Sequence, residues 1–143
     1  MSRRPDPESG FSLIELMVVI VIIGLLSTVV LINVLPSRDR AMVEKAKADI
    51  AVLEQAVEGF KLDNFSYPKT ETGLDALVTA PAELARPERY REGGYIRRLP
   101  NDPWGAAYRY AYPGRTRSFD IYSLGADGAE GGEGQDADIG NWN

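Results

Sequence analysis

At 143 residues with a formal net charge of −5, the chain has room for one membrane helix and one small domain. It contains no cysteine and no histidine, which excludes disulfides, cysteine- or histidine-ligated zinc and histidine-based catalysis. The acidic balance argues against nucleic acid as a partner, since that would need a basic face.

The first ten residues, Met1 to Gly10, are polar and lack an apolar core of their own. An ordinary secretory signal places its apolar region before the cleavage site. Here the apolar region follows the one small-residue site, Gly10, so cleavage there would leave it in the mature chain as an anchor. From Phe11 to Leu35 the run is of membrane-spanning length, because about 20 apolar residues cross a hydrocarbon core of roughly 30 Å. Leu16 to Ile32 carries no charge, and Glu15 is the one ionised residue near the start of the run. A carboxylate inside such a segment costs on the order of 2–3 kcal/mol, which marks it as a functional residue unless it lies shallow enough to reach the headgroups. Arg3 and Arg4 precede the span while Arg38, Arg40, Lys45 and Lys47 follow it, so charge bias alone does not place the N-terminus in the cytoplasm.

Val43, Ala46, Ile50, Leu53, Val57 and Phe60 recur at helical spacing and form one apolar stripe. The stripe predicts a helix that continues the span, except at Pro36, and packs on a sheet. Gly59 weakens the pattern near its end. Asn64-Phe65-Ser66-Tyr67-Pro68 ends the helix, and Thr72 to Leu77 reads as a short helix capped by Thr72 or Thr70. Residues 81–94 read mostly as loop. Leu99-Pro100-Asn101-Asp102-Pro103-Trp104-Gly105 is a compact turn. Tyr108, Tyr110 and Tyr112 alternate ahead of a Pro113-Gly114 turn, and Phe119 to Tyr122 follows, which predicts an antiparallel hairpin with aromatics on one face. That face serves either core packing or, less commonly, a sugar or nucleic-acid platform.

The tail from Asp127 to Asp138 carries five carboxylates and no base, and it shows no helical or strand periodicity. Arginines dominate earlier, from Arg86 to Arg117. Glycine-rich backbone exposes carbonyls, and carboxylates without counter-charge repel one another unless a cation intervenes. Calcium takes about six to eight oxygens at roughly 2.3–2.6 Å in flexible geometry and suits such a loop better than magnesium, the alternative being a solvated acidic tail that holds no ion. The EF-hand pattern does not fit, because Ala129 and Gly131 stand where its second and third ligands belong.

Gly10-Phe11-Ser12-Leu13-Ile14-Glu15-Leu16-Met17 followed by an apolar run resembles the signal of type IV pilins and pseudopilins. Gly94-Tyr95-Ile96, Leu99 to Gly105, and Ser123-Leu124-Gly125-Ala126-Asp127-Gly128 ending in Ala137-Asp138-Ile139 and Asn141-Trp142 resemble the major pseudopilins of type II secretion. The resemblance implies an α+β, pilin-like fold: a long N-terminal helix on a small antiparallel sheet, with a calcium-binding C-terminal loop. It implies a leader over residues 1–10, an assembly helix over 11–35 and a periplasmic head over 36–143. It further implies cleavage by a prepilin peptidase between Gly10 and Phe11, methylation of Phe11, and pairing of Glu15 with the Phe11 amine of a neighbouring subunit. Calcium would be held by the Leu124 carbonyl, Asp127, and Asp136 or Asp138, with further backbone oxygens near Glu130 to Gly132. Trp142 would pack back onto the head.

The function so implied is a structural one. The chain would be stored in the inner membrane, N-terminus in the cytoplasm, and would polymerise into a periplasmic pseudopilus with minor pseudopilins on an inner-membrane platform. Family members usually carry a proline where this chain has Ile32, whereas here Pro36 stands one turn later; where a stretch of helix melts on assembly therefore stays open. The alternatives are a type IV pilin, which commonly closes its C-terminal loop with a disulfide, and an anchored calcium-dependent binding module using the tyrosine face. An enzyme finds no constellation of catalytic residues.

Overall fold

The computed structural model describes residues 10–143, and of residues 32–35 the backbone alone. Arg3, Arg4 and the expected leader up to residue 9 lie outside the described residues. The chain divides between Arg38 and Asp39 into two compact units.

Helix α1 spans Leu13–Asn64. Its start is set by Ser12-x-x-Glu15, where the carboxylate half of a capping box forms: the Ser12 amide donates to Glu15 Oε2 at 3.3 Å, while the Glu15 amide donates to the Ser12 backbone carbonyl at 3.1 Å. Pro36 lies inside α1 without ending it, although its ring nitrogen offers no proton to the carbonyl one turn earlier. In the first unit every described side chain from Phe11 to Leu31 is exposed. The hydroxyls in this apolar stretch are satisfied within the helix, Ser27 Oγ donating to the Ile23 carbonyl at 2.7 Å and Thr28 Oγ1 to the Gly24 carbonyl at 2.9 Å.

In the second unit the apolar stripe of α1 turns inward as its spacing predicts. Ala46, Ile50, Leu53, Val57 and Phe60 are buried, and Val43 is half-buried against them. Each large side chain so covered contributes about 1.5–3 kcal/mol, far more than helix propensity could. Gly59 is where the Tyr95 ring rests: an added Cβ would meet its Cδ1 at 3.4 Å. The helix ends on Phe65, which stands in the left-handed region at φ 59° and donates its amide to the Lys61 carbonyl at 2.8 Å. Gly73–Leu77 forms a 3-10 turn rather than an α-helix. The predicted caps are not used as caps. Thr72 makes no side-chain cap bond, and Thr70 Oγ1 instead exchanges hydrogen bonds with the amide and carbonyl of Tyr112, each 2.8 Å.

The sheet has three antiparallel strands in the order β1 (Arg109–Ala111), β2 (Asp120–Ser123), β3 (Ile139–Gly140). Tyr110 pairs with Ile121 across β1 and β2, and Ser123 pairs with Ile139 across β2 and β3. Two features correct the sequence reading. The hairpin is closed by the whole of residues 112–119, not by Pro113-Gly114 alone, and the tail contributes β3, which is too short to show a period. The tyrosine face is used for packing. Tyr108 is buried and donates its hydroxyl to Asp49 Oδ2 at 2.9 Å, while Tyr110 donates to the Pro68 carbonyl at 2.9 Å and sits 6.1 Å from the Phe119 ring.

Candidate functional site

Two places carry the residues that the sequence singled out. At the N-terminal end, Gly10 and Phe11 precede α1, and Phe11 is 83 % exposed. Glu15 sits in the first turn of α1, where the helix dipole favours a negative charge and where its carboxylate closes the cap on Ser12. The cap is a role that the sequence reading missed, although Ser12 and Glu15 stand at the spacing that signals it. The helix behind it is long and apolar enough to cross a membrane, and its described side chains up to Leu31 are all exposed.

The second place is the tail. Its neck is built on a buried carboxylate: Asp102 Oδ1 accepts from the amides of Trp104 at 3.1 Å and Ala106 at 2.8 Å, and Oδ2 accepts from Ser123 Oγ at 2.6 Å. The Gly125 amide in turn donates to Ser123 Oγ at 3.2 Å. Across the neck the Ala126 amide donates to the Gln135 carbonyl at 2.9 Å. Gly125, at φ 70°, sits so close to the returning strand that an added Cβ would lie 2.7 Å from the Gln135 carbonyl oxygen. Leu124 is buried beside this neck. The far side is held by Trp142, whose ring lies 5.7 Å from that of Tyr122 and fills the space a Cβ on Gly140 would need. Trp142 therefore packs onto the head as expected.

The expected ligands occupy different situations. Asp127 is exposed, and its Oδ1 accepts the Ala129 amide at 3.0 Å. Asp136 is half-buried. Asp138 Oδ2 accepts the Gly131 amide at 3.0 Å, while Asp138 Oδ1 is buried and has no hydrogen-bond partner. An orphaned carboxylate oxygen fits a cation, since burying it unpaired is costly. Among the described residues, however, no three carboxylates lie close enough together to share an ion.

Sequence reasoning missed Asp102 and Asp120. Asp120 is buried and gathers three amides of the hairpin loop, those of Arg115 at 2.6 Å, Thr116 at 3.2 Å and Arg117 at 3.1 Å. An Asp next to a Pro-Gly turn is too common a pattern to have flagged it.

An apolar N-terminal helix that opens on a Gly-Phe and Glu signal, with a three-stranded head and a looped tail, defines a pilin-like structural subunit. Residues 6–31 match the prokaryotic N-terminal methylation motif, and residues 33–142 match the type II secretion system (T2SS), protein G family. The chain is 54 % identical to the type II secretion system core protein G of Vibrio cholerae, over 99 % of this chain and 96 % of the relative. It is 51 % identical to the protein of the same name from Pseudomonas aeruginosa, over 99 % of each. The crystal structure of the major pseudopilin from the type 2 secretion system of enterohaemorrhagic Escherichia coli is similar at a TM-score of 0.66 and 44 % identity, covering 77 % of this chain and 94 % of that one. The chain belongs to the type II secretion system protein G family. It is thus a membrane-anchored structural pseudopilin and not an enzyme, and the family match favours type II secretion over a type IV pilus.

Proposed function

We propose that the chain works by self-assembly: processed at Gly10–Phe11 by a prepilin peptidase, it polymerises into the periplasmic pseudopilus that drives folded proteins across the outer membrane. The observation that carries this reading is the fully exposed apolar half of α1 with Glu15 at its start. A single copy has nothing to cover that surface except lipid. Stacked copies cover it with one another, and the methylated Phe11 amine of one subunit neutralises Glu15 of the next, removing the cost of a lone carboxylate in the apolar layer. In this reading the N-terminus lies in the cytoplasm, the head in the periplasm, and minor pseudopilins and an inner-membrane platform complete the assembly.

We further propose calcium as the tail's ion. The buried, unpartnered Oδ1 of Asp138 supports it and favours Asp138 over Asp136 as the second carboxylate, with the Leu124 carbonyl and Asp127 the other expected contributors. The ion would supply the positive charge that the tail lacks and so hold the loop closed.

Two measurements test assembly. Mass spectrometry of the protein from membranes should give a chain that starts at methylated Phe11; a mature chain that retains Met1 would overturn the processing. Glu15→Gln keeps an oxygen that can cap Ser12 but removes the charge. Pseudopilus formation should be lost in both Glu15→Gln and Glu15→Ala. Normal fibres in Glu15→Gln would show that the cap, not charge pairing, is what assembly needs.

A further inference from the structure

Phe65 occupies a helix-terminating position that glycine adopts without penalty, yet it carries an aromatic ring there at φ 59° and leaves it 73 % exposed. Burial within the head does not compensate the strained backbone. The Arg89 guanidinium lies over the ring, 4.5 Å from its centroid, and Arg86 lines with Phe65, Leu84 and Ala85 a shallow cleft of about 380 Å³. Among the described residues no carboxylate lies within ion-pair distance of Arg86 or Arg89, whereas neighbouring Arg91 is paired with Asp63 at 3.2 Å. An exposed ring flanked by two uncompensated guanidiniums is a seat for a carboxylate on a short stem.

The tail offers the complement. Glu130 and Glu133 are exposed on its glycine-rich loop, their carboxylates are not among the expected calcium ligands, and they form no ion pair among the described residues. We propose that the Phe65–Arg86–Arg89 patch at the end of α1 receives Glu130 and Glu133 from the tail of a second copy of this chain. The inference rests on the polymer reading above and deepens it by naming a head-to-head contact. Charge complementarity supports a second copy as occupant, because one face is left basic and the other acidic on the same molecule.

The test uses the full chain expressed with its secretion machinery. Since the chain has no cysteine, Ser66→Cys with Gln135→Cys, both exposed, places a thiol beside each side of the contact while keeping Phe65 and Glu133, and a single-cysteine variant can give no more than dimers. Oxidation of assembled fibres should give a ladder of multimers that either single cysteine variant lacks. Arg89→Glu alone and Glu133→Arg alone should each lower fibre yield about tenfold, and the two combined should restore it to within about twofold. Phe65→Gly should raise the melting temperature while lowering fibre yield, which a purely structural ring would not do. Abundant fibres without a ladder, or a charge swap no better than its single parents, would overturn the contact alone. Arg89→Glu fibres at normal yield, with loss instead of binding to anionic vesicles, would assign the patch to a lipid surface and overturn it too. Absence of fibres from the unmodified chain would overturn the polymer reading itself.

Discussion

Asp120 replaces an entire turn's worth of backbone pairing with one side chain. Three amides from residues 115–117 converge on its two oxygens, and bonds to an ionised acceptor are the strong kind. Asp120→Ala is expected to cost about 3 kcal/mol in denaturant unfolding of the detergent-solubilised chain, since the loop loses all three acceptors at once. A loss under about 1 kcal/mol would mean that water serves these amides equally well. Tyr108 makes a different prediction. Burial, and then its hydrogen bond to Asp49, push its ionisation well above the usual tyrosine range. The folded protein thus keeps the proton that the unfolded chain releases from about pH 10 upward. Stability contributed by this group is complete below that pH and falls by about 1.4 kcal/mol per pH unit above it. Tyr108→Phe should flatten the alkaline limb of the stability profile; an unchanged slope would show that Tyr108 is not its source.

Helix α1 was legible because a stripe at helical spacing over many turns has one physical reading, and the end at Asn64-Phe65 followed from the proline that comes next. The hairpin was legible from its alternating tyrosines, though not its closing loop, because an Asp a few residues after a turn is too common a pattern to mark Asp120 as the acceptor for the amides of Arg115, Thr116 and Arg117. The third strand was invisible: Ile139–Gly140 is two residues long, and only pairing to β2 defines it. Of the candidate residues, Glu15 stood out as a charge in an apolar run, while its cap on Ser12 needed the geometry. The carboxylates of the tail were evident from composition, but which oxygen lacks a partner was not; only burial singles out Asp138 Oδ1. At this scale the calcium proposal has a clean readout. A cation bound only by the folded loop adds about 2.7 kcal/mol at a hundredfold excess over its Kd. Asp127→Ala should therefore lower the melting temperature in calcium and change it little in chelator, and equal losses in both conditions would remove the metal.

At the scale of the molecule, an apolar stretch of α1 whose described side chains are all exposed is joined to a head whose apolar stripe is buried. The head lacks disulfides, and its closure depends on two long-range ties: the Asp102–Ser123 bond at 2.6 Å and the pairing of the final residues to β2. Beyond β3, the Asn141 amide donates to the Ile121 carbonyl at 3.0 Å, the Ile121 amide donates to the Asn141 side-chain Oδ1 at 3.2 Å, and Asn141 Nδ2 donates to the Phe119 carbonyl at 3.1 Å. Ending the chain after Ala137 should abolish cooperative unfolding, measured by heat on the detergent-solubilised protein, whereas a sharp transition would show that the hairpin stands alone. β2 is the middle strand, yet one of its two neighbours, β3, is reached only on the far side of the glycine-rich loop. A copy clipped within that loop therefore bares a raw row of amides and carbonyls along β2, which gives proteases a means to tell a nicked copy from an intact one.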